Sequence, residues 1–259
     1  MPSIVETVIL GIIQGLTEWL PVSSSGHLAV AKEFFGWRPP VIFYVLLHIG
    51  TLFVVLFFFR KDIVEVLRAF AHRDFKSEGG KLGVFVIVGS IPTAIIGYVF
   101  QDLFKSFFDN LFVVGAALLA TGFWLFFSEQ GKGNRILNCP DSLLIGIAQG
   151  IAIIPGISRS GATISTGLLR GVNRRIVFSF SFLLSIPAVL GATLAESGDL
   201  DLLISGGDMI TVIVGMSASM VVGYFSLKLL QKLIIKKKFH LFAFYCWVAG
   251  ALIVIFQIL

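Results

Sequence analysis

Apolar runs long enough to cross a bilayer alternate along this chain with short polar segments. Six of them, residues 41–59, 82–100, 111–127, 176–195, 209–227 and 241–259, contain no Asp, Glu, Lys or Arg except at their edges, and a spanning helix needs about 20 such residues. Two other apolar stretches, 4–16 and 143–154, give way sooner to polar groups and a Pro. Their length suits a helix that enters the membrane and turns back, with its broken backbone buried in protein or facing water. The pattern predicts an all-α integral membrane fold of six transmembrane helices plus two re-entrant helical hairpins, in a single membrane domain over 1–259.

Composition agrees, with 56% hydrophobic and 14% charged residues and a mean hydropathy of +0.94; a water-soluble fold is not expected. The net charge of +5 raises the question of nucleic acid, and its distribution argues against that partner. If both short segments return to the face they left, loops 60–81, 128–141, 170–175 and 231–240 share one side with fifteen Lys/Arg, against Lys32, Arg38 and Lys105 on the other. The loop 197–208 on that second side is acidic, with Asp199, Asp201 and Asp208. By the positive-inside rule the basic side is cytoplasmic, which puts both termini outside a multi-pass protein of the cell membrane. Making either short segment a full crossing flips every later loop and erases the asymmetry. Glu6 replaces the basic start of a signal peptide, so no cleavable leader is expected. Ile63, Val66, Leu67 and Phe70 recur at helical spacing among charges and predict a short helix on the membrane surface. Cys139 and Cys246 imply neither a disulfide nor a metal framework.

Shifting the chain on itself by 135 residues superposes Gly11, Gln14 and Gly15 on Gly146, Gln149 and Gly150, and Ser23, Ser25 and Gly26 on Ser158, Ser160 and Gly161. Pro21 and Pro155 precede the Ser clusters one position out of register. Each half, 1–127 and 142–259, then consists of a broken hairpin and three crossings. Because three is odd, the second copy lies upside down relative to the first, and the two hairpin tips meet near the midplane.

The polar residues within these hairpins carry the candidate chemistry. Glu18 follows Gln14 by four residues, so both project from one helical face. The apolar run continues past Glu18 through Val22, and an ionisable group so placed is expensive unless used; a position at the aqueous rim is the plainer alternative. Ser23, Ser24, Ser25 and Gly26 open a new helix, whose free N–H groups and dipole favour an anion. With Ser24 as the cap, His27 lies within reach, and Ser beside His is a candidate nucleophile and base. Simple capping, with His27 facing headgroups, is the alternative. Arg159, between Ser158 and Ser160 at another helix start, is a charged fork suited to phosphate, and its alternative is a structural pair with Glu18. Thr163 shares its face. His48, mid-span, is expected to make an interhelical hydrogen bond, and Pro92 and Pro187 to kink their helices.

Taken together, GIIQGLTEWLPVSSSGHL and AQGIAIIPGISRSGATIS resemble the two signature regions of the undecaprenyl-diphosphatase family, membrane phosphatases linked to bacitracin resistance. The resemblance covers essentially the whole chain. It implies hydrolysis of a polyprenyl diphosphate to the monophosphate and inorganic phosphate, which recycles the lipid carrier of peptidoglycan and other surface glycans. The family's essential carboxylate falls on Glu18, its catalytic Ser and His on Ser24 and His27, and its phosphate-binding Arg on Arg159. Gln14, Ser23, Ser25, Ser158, Ser160 and Thr163 form the expected substrate-binding set. Two positions depart from the commoner pattern. Gln14 stands where many members have a second Glu, so a divalent cation, Mg²⁺ or Ca²⁺, would rest on Glu18 and Gln14; Ser179 stands where many have Glu before Phe-Ser-Phe, and receives no role.

The sequence leaves open Ser24, His27 or a water as nucleophile. A transporter or flippase for polyprenyl phosphate is the rival class, since broken helices in inverted repeats are a transporter architecture. A type-2 phosphatidic-acid phosphatase is not expected, because Ser165 stands where that family needs a His. Nothing in the sequence fixes oligomeric state; a homodimer is compatible with it.

Overall fold

A computed structural model describes residues 2–37, 39–108, 110–131, 133–195 and 209–258. Arg38, Lys132 and the acidic loop with Asp199, Asp201 and Asp208 lie outside the described residues. Among the described residues there are twelve helices: α1 (Ile4–Trp19), α2 (Ser24–Phe35), α3 (Val41–Phe58), α4 (Arg60–Ala71), α5 (Glu78–Val99), α6 (Gln101–Phe107), α7 (Leu111–Ser128), α8 (Cys139–Ile151), α9 (Arg159–Leu169), α10 (Arg174–Ala195), α11 (Met209–Ile235) and α12 (Leu241–Ile258). Six of these, α3, α5, α7, α10, α11 and α12, are long and apolar enough to cross a membrane, and they coincide with the six apolar runs. The protein is an all-helical, multi-pass membrane protein.

Helix ends move where caps or amphipathic side chains decide them. The Ser77 hydroxyl caps α5 by accepting from Gly80 N at 3.2 Å, so the helix begins four residues before its apolar run. α11 continues to Ile235, which places Lys228 inside the helix instead of near its end. A Lys does not stop a helix whose backbone bonds are internal, because its stem lies along the apolar surface; the Lys228 ammonium sits 5.3 Å from the Tyr224 ring centre. Pro92 and Pro187 lie within α5 and α10 and end neither. The expected surface helix is α4, which packs Val66 and Phe70 against Gly83 of α5 and leaves Leu67 exposed.

Glycines let the short helices lie tightly against long ones. A Cβ on Gly11 would fall 2.6 Å from Gly215 O, and one on Gly15 would fall 2.9 Å from Gly223 N. So α1 lies in backbone contact with α11. One on Gly146 would strike the backbone of Gly89, so α8 lies in the same way against α5, where Thr93 Oγ1 donates to Gly146 O at 2.8 Å. The short helix of each half therefore packs on a long helix of the other half. Small residues of this kind allow dispersion to hold helices together where lipid offers no hydrophobic drive.

The basic loops gather at one end. Arg174, at the start of α10, donates to Glu129 after α7 at 2.5 Å, and Glu129 also accepts from Phe239 N at 3.1 Å. Buried Asp141 in the first turn of α8 accepts from Arg170 Nε at 2.9 Å, just past α9. The open ends of the α8–α9 pair thus lie together. At the centre, Phe178, Phe182, Phe59 and Trp19 form an aromatic cluster, with the Trp19 ring edge-on to Phe182 at 5.3 Å.

Candidate active site

The two polar turns touch. Between α1 and α2 the chain breaks at Leu20–Ser23, and Ser23 takes φ 68 and ψ 99, a left-handed value costly for a residue with a Cβ. Three contacts of the Ser23 hydroxyl hold it there. It accepts from Gly26 N at 3.3 Å and from Gly156 N at 3.1 Å, and it lies 3.2 Å from the Ser25 hydroxyl. Gly156 belongs to the turn between α8 and α9. Its φ of +96 and its contact with the Val114 carbonyl leave no room for a side chain. Across the same junction the Thr121 hydroxyl accepts from Ser158 N at 3.2 Å and donates to Gly156 O at 3.1 Å.

Ser23, and not Ser24, is the cap of α2. This frees Ser24, the first residue of the helix, to donate to Glu18 Oε2 at 2.5 Å. Gln14 Nε2 donates to the same oxygen at 3.0 Å, and His48 Nε2 lies 3.3 Å from it. Arg159 Nη2 pairs with the other oxygen, Oε1. The Arg159 guanidinium also lies 5.6 Å from the centre of the Trp19 ring, a cation–π contact that holds the fork over an apolar floor. Glu18 is 6% exposed, so it meets two basic side chains and two neutral donors in a site nearly closed to solvent. The ion pair with Arg159, the structural alternative read from the sequence, is present.

Supporting hydroxyls occupy a second layer. Ser158 caps α9 by accepting from Gly161 N at 3.1 Å, and Ser160 lies 3.3 Å from it, repeating the Ser23–Ser25 pair. Thr163 donates to Arg159 O at 2.8 Å and lies 2.5 Å from the Ser181 hydroxyl, bracing the turn that carries the guanidinium. His27 does not complete a Ser–His pair with Ser24 in this conformation. Its Nδ1 is 2.8 Å from Ser23 O, its Nε2 is 2.5 Å from the Tyr245 hydroxyl, and the two rings stack.

Sequence reasoning missed the partners that come from other helices. His48 does bond between helices, and its partner is Glu18; the isolated His in an apolar span was the available signal. Thr121 and Ser181 carried no signal, since a Ser or Thr hydroxyl in a membrane helix usually bonds its own backbone, and Tyr245 carried none because a Tyr near a span end is ordinarily an interfacial residue.

Glu18 and Gln14 also meet the first requirement of a hard cation, oxygen ligands. Gln14 Oε1 is buried with no hydrogen-bond partner, beside a carboxylate. No cluster of three His, Cys, Asp or Glu exists among the described residues. One carboxylate and one amide are too few to hold a hard cation without further oxygen ligands, and both oxygens of that carboxylate already meet Arg159, His48 and Ser24.

The chain is thus a multi-pass helical membrane protein in which a buried carboxylate, a hydroxyl and a guanidinium meet between two helix starts. The profile of the family described as "Bacitracin resistance protein BacA" matches residues 7–252, and the chain belongs to that family. It is similar to the undecaprenyl-diphosphatase of Alkaliphilus metalliredigens (strain QYMF), 42% identical over 98% of each chain. It is also similar to that of Desulfosudis oleivorans (strain DSM 6200 / JCM 39069 / Hxd3), 44% identical over 95% of this chain and 96% of the relative. An undecaprenyl-diphosphatase of Methanosphaera stadtmanae (strain ATCC 43021 / DSM 3091 / JCM 11832 / MCB-3) is 36% identical over 100% of this chain and 99% of its own.

Proposed function

We propose that this protein is an undecaprenyl-diphosphatase: it hydrolyses the lipid diphosphate to the monophosphate and inorganic phosphate, returning the carrier to glycan synthesis. The observation that carries this reading is the convergence of Ser24 and Arg159 on the two oxygens of Glu18. The diphosphate competes with Glu18 for Arg159, which then binds and neutralises the anion together with the free N–H groups of α2 and α9. Released from its ion pair, Glu18 becomes the base for the hydroxyl it already holds. The Ser24 proton passes to Glu18, Oγ bonds to the terminal phosphorus, and the bond from that phosphorus to the bridging oxygen breaks, leaving lipid monophosphate. A water then opens the phosphoserine and releases inorganic phosphate. Positioning and charge neutralisation supply most of the acceleration. Gln14 and Glu18 would hold Mg²⁺ or Ca²⁺ only together with further oxygen ligands from the substrate phosphates, and the ion when bound supplies further charge neutralisation.

Gln14, Ser23, Ser25, Ser158, Ser160 and Thr163 belong to the proposal as the groups that bind substrate or fix the two tips. His27 belongs to it as a group at the mouth of the site, released from Tyr245 when substrate enters. The exchange of helix partners between the halves, and the joined open ends of α8 and α9, support an inverted repeat of two re-entrant hairpins over 1–127 and 142–259. The gathered basic loops support a cytoplasmic basic end and external termini.

The test is release of inorganic phosphate from undecaprenyl diphosphate by the purified protein in detergent, with and without Mg²⁺, Ca²⁺ and a chelator. Release that is lost in Arg159→Ala, and a phosphoserine trapped at Ser24, are the expected results. No release from the unmodified protein moves the reading to a polyprenyl-phosphate transporter. Reporters fused after residues 70 and 202 are expected on opposite faces.

A further inference from the structure

A second site lies at the basic end, away from Glu18. A cavity of about 320 Å³ separates the start of α10 from the end of α11, lined by Arg174, Arg175, Phe178 and Ser179 of α10 and by Gln231, Ile234 and Ile235 of α11. That volume lies at the lower end of the roughly 300–1,000 Å³ of ligand pockets.

The α10 wall carries unmet positive charge. Arg174 is largely buried, with its side chain 12% exposed, and one arm is spent on Glu129. Its other terminal nitrogen, Nη1, is buried with no hydrogen-bond partner, and a charged donor left so is costly. Glu129 is itself shared with Phe239 N. Arg175 is exposed, and its side chain has no carboxylate partner among the described residues. Both arginines open α10, whose dipole adds to their field, and Lys236, Lys237 and Lys238 follow α11 directly.

Ser179 lies four residues after Arg175, on the same face of α10, and it lines the cavity beside the arginines. No carboxylate lines the cavity. The α11 wall is apolar at Ile234 and Ile235, and Ile235 is 46% exposed. A ligand that fits both walls joins an anion to a hydrocarbon chain. We infer that this cavity binds a phosphate headgroup, with Arg174, Arg175, Ser179 and Gln231 around its oxygens and its chain running out over Ile235.

Native mass spectrometry of the full chain in detergent tests this with three probes: phosphatidylglycerol, zwitterionic phosphatidylcholine and inorganic phosphate. One phosphatidylglycerol is expected to stay bound in preference to phosphatidylcholine. Ser179→Glu, which adds a carboxylate to the lining, and Arg175→Gln, which removes an exposed cation, are each expected to weaken it about fivefold. Phosphate release from undecaprenyl diphosphate, unchanged in both, checks that the variants are folded. Inorganic phosphate that displaces the lipid, and fails to do so in Ser179→Glu, supports the same site with free phosphate as its source. Equal retention of both lipids, or binding untouched by Ser179→Glu and by Arg175→Gln, overturns the proposal.

Discussion

The two broken helix pairs, α1–α2 and α8–α9, share a scaffold and differ in the side chains they bring to it. Both begin with a helix whose glycines press on a long helix of the other half, and both turn into a Ser-capped helix with a second Ser two residues on. At the 135-residue shift, Ser24 is equivalent to Arg159, and each is the first residue of its helix. These equivalent residues grip opposite oxygens of one carboxylate. Glu18 itself has Ile153 as its counterpart, and His27 has Ala162. Gln14 serves Glu18, whereas Gln149 donates to Thr93 Oγ1 and Leu184 O, each at 3.3 Å, in a packing role. The two pairs share what places the tips together, and in the proposed mechanism Glu18 and Ser24 react while Arg159 binds.

The largest effects are expected where the two tips act as one unit. Glu18→Gln and Arg159→Ala should each lower kcat/KM for phosphate release about a thousandfold. The double variant should lose less than the product of the two, since residues that act as a unit are not additive. Multiplying losses would break the comparison. Next comes the shared scaffold. Gly11→Ala and Gly146→Ala should each destabilise the protein by about 1–3 kcal/mol through overpacking, seen as similar falls in Tm in detergent. A fall at only one of them would mean that the halves are not built alike.

Smaller effects refine the division of labour. His48→Ala removes an interhelical contact to Glu18 worth about 1 kcal/mol, and should lower phosphate release several-fold while Arg159 still pairs with the carboxylate. Ser25→Ala and Ser160→Ala should each cost less than about 1 kcal/mol in Tm experiments, because each only supports a cap. A large loss of activity at one of them would give that tip a chemical role beyond support.

Much of this was legible in the chain because a bilayer restricts what a backbone can do. Every N–H and C=O inside it must be satisfied locally, so apolar length alone marks α3, α5, α7, α10, α11 and α12. The same constraint singles out Glu18 and Arg159, since charge in an apolar segment needs a reason. The sequence also determined that Ser23–His27 and Ser158–Thr163 open helices, because capping is local. Only the tertiary structure decided who meets whom: Arg159 reaches Glu18 across 141 residues of chain, His27 turns to Tyr245 across 218, and His48 comes to Glu18 from a separate helix. Those choices rest on how closely glycine faces let helices approach and on one strained turn at Ser23, which takes the cap and leaves Ser24 to the carboxylate. Periodicity carries no record of such distances between helices, and so the pairing of groups within the site had to come from the fold.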